Sequence, residues 1–158
     1  MQQLKAPIPG SGAGAAAIVG LAASRSSRTR HVRLAAVPSA VPWARRILKH
    51  VLEEWELESL GDCALLAVSE LVTNAVQRSP GTARFDRETV ELTLKATGDG
   101  LRIEVWDANP AVPVLKEADL TGDRGRGLVL VDFLSDAWGH RPAGRGKVVW
   151  CEMTDCQP

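Results

Sequence analysis

The chain has 158 residues, a length that suits one domain with a sizeable core. Lys and Arg together equal Asp and Glu at 19 each, so the formal net charge is zero. This balance argues against nucleic acid as a main partner, because nucleic-acid binding needs clustered basic charge. The apolar fraction of 45% is ordinary for a globular protein.

The N-terminal segment is rich in small residues. Ala13–Ser24 (AGAAAIVGLAAS) is apolar but too short to span a membrane. A secretory signal is the alternative, although Lys5 is the one basic residue before this run. We predict a disordered Ala/Gly/Ser-rich tail over residues 1–29 and a single domain over residues 30–158, in a cytoplasmic protein with no membrane partner.

The cysteines are Cys63, Cys151 and Cys156. Their odd number and the lack of a C-x-x-C spacing argue against a disulfide framework or a zinc site. We therefore expect free thiols in a reducing cytosol, with Cys63 and Cys151 in the core.

Two helices are predicted in the first half of the chain, after a short strand at His31–Ala36. Apolar residues at 44, 47, 48, 51, 52 and 55 have helical spacing and follow a start at Pro38–Ser39. Gly61 ends this unit. The second helix begins near Asp62 as its N-cap and ends at Arg78–Gly81.

The second half alternates apolar and polar residues. Residues 89–107 predict a hairpin with one buried face and a tight turn at Gly98–Gly100. A long irregular stretch leads to a short helix opened by Gly125–Gly127, and strands at Ala137–His140 and Lys147–Met153 follow. Strands in hairpins and helices between them predict an α+β fold: an antiparallel or mixed sheet with helices packed on one face.

Glu70 and Asn74 are the first candidate site residues. They lie roughly 40° apart on a helical wheel, beside the apolar arc of the second helix. A carboxylate there can act as a general base, and an amide oxygen one turn on can ligate Mg²⁺. The helix alone favours a simpler interpretation, the polar flank of an amphipathic helix.

Two further features lie downstream. Asp107 continues the buried face of its strand, where a carboxylate needs a hydrogen-bond partner such as the amino group of a ligand, unless the strand ends at Trp106. Gly125-Arg126-Gly127 at a helix start exposes backbone N–H groups that suit a phosphate, although most such segments are ordinary turns.

The order of these features resembles the GHKL (Bergerat-fold) ATP-binding domains. ELVTNAV resembles the N-box of this family, VWDANP its first Gly box and DRGRGLVLVDFLSDAWG its second. The likeness is narrower to the stand-alone histidine-kinase-like domains that act as anti-sigma-factor serine/threonine kinases, and it covers roughly residues 30–154. It implies a two-layer α/β sandwich.

The resemblance also implies roles for single residues. Asn74 would ligate Mg²⁺ on the ATP phosphates, Glu70 would be the catalytic base, and Asp107 would accept from the adenine amino group. Residues 110–124 would form the lid over ATP. Further contacts to the cofactor would come from Arg78, Asn109, Arg124, Gly125, Arg126, Gly127 and Leu128.

By the same resemblance, the protein would phosphorylate a small anti-sigma antagonist protein and bind a sigma factor or similar regulator. Homodimerisation is implied by the family alone. The alternative is a non-catalytic regulator of the same fold with weak or no ATP binding.

The sequence departs from the family in three places. Asp107–Pro110 (DANP) replaces the glycines of the first Gly box, and Arg78 stands where relatives commonly carry His. Val148 stands where relatives often have a Thr that supports adenine through water, so we expect a polar contact to be lost there.

Overall fold

The computed structural model describes residues 28–77, 89–113 and 126–156. The helices and strands follow the predicted order, from an N-terminal strand to a C-terminal hairpin. They are β1 (Thr29–Ala35), α1 (Ala40–Trp55), a 3₁₀ turn (Glu58–Leu60), α2 (Gly61–Gln77), β2 (Thr89–Thr97), β3 (Gly100–Asp107), α3 (Arg126–Leu134), β4 (Ala137–Ala143) and β5 (Gly146–Met153).

The strands form one antiparallel sheet in the order β1-β2-β3-β5-β4. The β2–β3 hairpin turns at Gly98, whose φ of 64° is left-handed and favours glycine. The last strand, β5, inserts between β3 and β4, so Asp107 at the end of β3 pairs with Lys147 near the start of β5. The predicted α+β class is confirmed.

The core lies between the sheet and the helices. Alternate residues of β2, β3 and β5 are buried on the face toward the helices, and α2 crosses that face with its apolar arc inward. The buried residues of α2 are Cys63, Ala64, Ala67, Val68, Leu71, Val72 and Ala75. The small alanines let α2 approach the sheet closely, so α2 fixes where its polar flank stands relative to β3 and β5.

Several predicted boundaries shift. Gly61 is the first residue of α2 rather than the end of the preceding unit, so Asp62 lies in the first helical turn and is not the N-cap. The 3₁₀ turn Glu58–Leu60 is followed directly by α2, so Gly61 does not end a helical segment here as a glycine often does. Strand β1 begins at Thr29, which pairs with Lys95, two residues before the predicted strand start at His31. The rest of the predicted tail, residues 1–27, lies outside the described residues.

A hydrophobic stretch, Glu58–Gln77, has the length and apolar composition of a membrane span. Within the described part of the chain it is the one helical segment that does. Many of its apolar side chains belong to the buried core, whereas Leu66 is exposed.

The face of the sheet away from the helices carries charge. Glu104 is buried there, and its carboxylate accepts hydrogen bonds from Arg102 Nε (2.7 Å) and Lys95 Nζ (3.2 Å). Arg102 also stacks on Trp150, 3.9 Å from the ring centroid. The cations cover the carboxylate, so polar groups close this face where helices close the other.

The cysteines differ from the expectation of free thiols. Cys63 and Cys156 form a disulfide that joins the start of α2 to the segment after β5, with their Cα atoms 5.6 Å apart. The expectation is wrong for this pair because 93 residues separate them, and only the return of the chain across the sheet brings them together. It is confirmed for Cys151, which is free. Burial raises the pKa of the Cys151 thiol to about 12, so this thiol stays protonated.

Reducing the Cys63–Cys156 disulfide should lower the free energy of unfolding by about 2–4 kcal/mol, because the unfolded chain regains the freedom that the crosslink removes. Urea denaturation with and without dithiothreitol measures the effect. The Cys156→Ser variant is the control, and it should unfold at the same urea concentration in both buffers. Equal stability of the wild type with and without reductant would contradict this prediction.

Acid should weaken the fold partly through Glu104. Burial alone would raise the pKa of this carboxyl, but hydrogen bonds from Arg102 and Lys95 outweigh it and hold the pKa below the ordinary 4.5. Because the pKa of this carboxyl is lower in the folded than in the unfolded state, its ionised form stabilises the fold at pH values above the unfolded-state pKa. That stabilisation is lost as the pH falls through the folded-state pKa. Glu104→Gln should therefore be less stable than the wild type at pH 7 and lose less stability below pH ~4.5, measured by thermal melts across pH. Parallel melting curves for both proteins would argue against it.

Candidate functional site

Helix α2 holds Glu70 and Asn74 on one flank. Leu71 and Ala75, their neighbours in the sequence, are buried against the sheet, so the two polar side chains stand half-buried at the edge of the apolar arc. Among the described residues, Glu70 forms no ion pair, so no cation from residues 28–77, 89–113 or 126–156 neutralises its carboxylate.

The start of α3 lies directly over this flank. A Cβ built on Gly127 would fall 2.5 Å from Glu70 Oε2 and 3.2 Å from Asn74 Nδ2. A side chain at position 127 would displace the Glu70 carboxylate, so Gly127 lets the two groups lie this close together. The N-terminal turn of α3 and the two polar groups of α2 therefore meet at one place.

Asp107 ends β3 on the helix side of the sheet with only 2% of its surface exposed. Its Oδ1 accepts from Lys147 Nζ at 2.8 Å and from the backbone N–H of Asn109 at 2.9 Å. Lys147 is equally enclosed, at 3% exposure. The predicted burial of this carboxylate is confirmed, but the partner that stabilises it comes from the protein itself.

Lys147 also fixes the turn that follows β3. Its Nζ donates to the carbonyl of Asn109 at 2.7 Å, and the side-chain oxygen of Asn109 accepts from the N–H of Ala111 at 2.9 Å. Gly146 permits this arrangement because a Cβ there would overlap the carbonyl oxygen of Asp107. The DANP segment thus forms a turn held by hydrogen bonds without the glycines of the family motif.

One cavity connects these residues. Asn74, Asp107 and Lys147 supply its polar groups, and the remaining walls are apolar: Leu71, Ala75, Val105, Pro113, Leu128 and Val149. Its free volume is about 10 Å³, room for about one water molecule.

The described residues include part of the predicted site. Glu70, Asn74 and Gly127 come together, and Asn74, Asp107 and Leu128 line the same cavity. Asn109 is not among the described residues lining this cavity, and its side chain caps the turn instead. Arg78, Arg124 and Gly125 lie outside the described residues, as does most of the predicted lid. Arg126 begins α3, but its side chain is outside the description.

The expectation for Val148 is wrong. Val148 pairs with Trp106 and lines the opposite face of the sheet, beside Glu104 and Arg141. The position on the cavity side next to Asp107 belongs to Lys147, because side chains alternate along a strand and a shift of one residue changes the face. Lys147 is the site residue that sequence reasoning missed. Its signal was its shared parity with the buried Val149 and Cys151.

Residues 34–153 match the family model described as the histidine kinase-like ATPase domain. The chain belongs to this family. The match runs from β1 to the end of β5, so this histidine kinase-like ATPase domain contains both the sheet and the cavity described above. The resemblance drawn from the three boxes is confirmed at the level of the family.

Two relatives illustrate this histidine kinase-like ATPase domain. An uncharacterized protein of Streptomyces coelicolor is 33% identical over 88 residues, which cover 54% of this chain and 76% of that protein. The crystal structure of the RsbU and RsbW domains of Rv1364c from Mycobacterium tuberculosis matches with a TM-score of 0.60 at 19% identity. That match covers 83% of this chain and 33% of the other, so this chain spans about a third of its neighbour's length and shares its fold.

The Asp107–Lys147 pair should be essential for stability as a pair. Lys147→Met should lower the free energy of unfolding by about 3–5 kcal/mol, because the Asp107 carboxylate stays buried without its cation. Asp107→Asn combined with Lys147→Met should cost less, since no buried charge remains. Urea denaturation measures both.

Lys49→Met is the matched control, because Lys49 is exposed on α1 and its loss should change stability by less than about 0.5 kcal/mol. A cost for Lys147→Met no greater than that of the control would show that the buried pair is not needed.

Proposed function

We propose that this domain binds ATP with Mg²⁺ and acts as a serine/threonine kinase on a small anti-sigma antagonist protein. The observation that carries the proposal is the meeting of Glu70, Asn74 and Gly127, where the start of α3 lies against both polar groups of α2. It joins a base, a metal ligand and backbone N–H donors beside one cavity.

Each group would have a separate task. The N–H groups at the start of α3 would face the phosphates, since a helix N-terminus favours anions. The Asn74 amide oxygen would ligate Mg²⁺, a hard cation that prefers oxygen. Glu70 would orient and deprotonate the attacking serine hydroxyl. Catalysis of phosphoryl transfer consists mostly of positioning and charge stabilisation, so these placements matter more than the strength of the base.

At the enclosed end of the cavity, Asp107 would accept a hydrogen bond from the amino group of adenine. The apolar walls formed by Val105 and Val149 suit the flat faces of a purine. The predicted further contacts Arg78, Arg124, Gly125 and Arg126 would add charge and N–H donors at the phosphates.

A sigma factor or similar regulator would be the second partner, released or retained according to the phosphorylation of the antagonist. A homodimer and a cytoplasmic location belong to the same proposal.

A second candidate is a regulator of the same fold that binds a protein partner without catalysis. Two observations favour it: Lys147 already satisfies Asp107, so the fold does not need a ligand, and the cavity holds about 10 Å³. Titration calorimetry with Mg-ATP separates the candidates. No binding heat from a folded protein would favour the non-catalytic regulator.

The test of catalysis compares Glu70→Gln with the wild type. We expect the rate of γ-phosphate transfer from Mg-ATP to a serine of the antagonist to fall roughly 10²–10⁴-fold, the usual contribution of a positioned base. The Kd for Mg-ATP should change little, because Glu70 acts on the hydroxyl and not on the nucleotide. Asn74→Ala should instead weaken Mg-ATP binding.

Glu53→Gln is the matched control, since this exposed residue of α1 carries the same charge away from the cavity. Its transfer rate should equal that of the wild type. Wild-type transfer by Glu70→Gln would remove the assigned role of the base while leaving nucleotide binding intact.

A further inference from the structure

We propose that Lys147 reads the nucleobase directly: it holds one oxygen of Asp107 and donates its remaining N–H to the ring nitrogen beside the base's amino group. The inference rests on the proposed function, since it requires that the cavity binds ATP. It adds a base-specific contact from a lysine to the contact expected of Asp107.

The donors of Lys147 leave one N–H for a ligand. An ammonium group carries three N–H bonds and accepts none. One points to Asp107 Oδ1 at 2.8 Å and one to the carbonyl of Asn109 at 2.7 Å. The third N–H remains for a ligand in the cavity that the Lys147 side chain lines. With only 3% of its surface exposed, Lys147 has little access to bulk water for that donor.

The acceptors of Asp107 are arranged in the same way. Both hydrogen bonds to the carboxylate end on Oδ1. Oδ2 makes no hydrogen bond to any residue within 28–77, 89–113 or 126–156. The wall therefore presents one acceptor oxygen and one N–H donor side by side, held together by the ion pair.

This pattern matches a particular edge of a heterocycle. Adenine offers an amino donor at C6 next to N1, an unprotonated ring nitrogen that accepts. The amino group would donate to Asp107 Oδ2 and N1 would accept from Lys147 Nζ. Because the two charges of the pair cancel, the wall suits a neutral base, and the apolar side chains of Val105, Leu128 and Val149 suit its faces.

A purely structural role for Lys147 is the rival explanation, because any cation there would stabilise buried Asp107. Such a role would weaken all nucleotides alike when Lys147 is removed. A direct contact to N1 would instead weaken only ligands that possess N1. The two explanations therefore differ in the ratio of the affinities for ATP and for a ligand without N1, measured with and without Lys147, rather than in the affinity for ATP alone.

The experiment is titration calorimetry with Mg²⁺ and three ligands: ATP, 1-deaza-ATP, which has C–H in place of N1, and purine riboside triphosphate, which lacks the amino group. The wild type should bind ATP about tenfold or more tightly than 1-deaza-ATP, the usual effect of one hydrogen bond from a charged donor. Lys147→Met should abolish that ratio and keep the preference for ATP over the ligand without an amino group.

Each outcome decides. Loss of the N1 preference in Lys147→Met supports the inference. A wild type that binds ATP and 1-deaza-ATP equally overturns it and leaves the proposed function standing, as does an N1 preference that survives in the variant. A folded wild type that binds none of the three ligands removes the proposed function and the inference with it.

Lys147→Met leaves a buried carboxylate and can fail to fold, so a second comparison avoids that outcome. Asp107→Asn should retain the N1 preference because Lys147 is present. Asp107→Asn with Lys147→Met, which carries no buried charge, should lose it. Circular dichroism establishes that both are folded, and an equal N1 preference in these two proteins overturns the inference.

Discussion

The close packing of α2 against the sheet is the constraint on which the other features depend. Its buried arc contains Ala64, Ala67 and Ala75, whose small side chains bring the helix near β3 and β5. Once that arc faces the sheet, helical geometry leaves Glu70 and Asn74 no position except the flank beside the cavity. The same packing brings α3 over the flank, where Gly127 lies close to the Glu70 carboxylate and the Asn74 amide.

The sheet buries a carboxylate on each of its faces, and the two are stabilised differently. Glu104 on the outer face has several cations within reach, and all of them reach solvent in part. Asp107 on the inner face has a single enclosed cation, Lys147, with which it forms a neutral pair. Cations that remain partly exposed therefore stabilise Glu104. The enclosed Asp107–Lys147 pair is the one that we propose as the contact for a nucleobase.

Sequence patterns predicted most of this fold because the apolar residues that a helix or strand buries recur at short, regular intervals along the chain. The hairpin of residues 89–107 and the helical spacing from residue 44 onward were clear, since each face repeats within a few residues. Boundaries were less certain: Gly61 is a helix breaker in general but is absorbed here into the start of α2. The register of β5 was ambiguous because Val148, Val149 and Trp150 are all apolar, and either parity could have been the buried one.

The sequence by itself determined the elements and their order, because each element depends on neighbours within one or two turns or strands. It offered Asp107 as a buried carboxylate but left open whether the strand ended at Trp106, and Glu70 and Asn74 became site candidates through the family resemblance. Only the tertiary structure decided that Lys147 pairs with Asp107, 40 residues away, and that Cys63 bonds Cys156, 93 residues away. Contacts at such separations follow from strand order and helix placement. The insertion of β5 beside β3 therefore decides the composition of the cavity, which no local pattern contains.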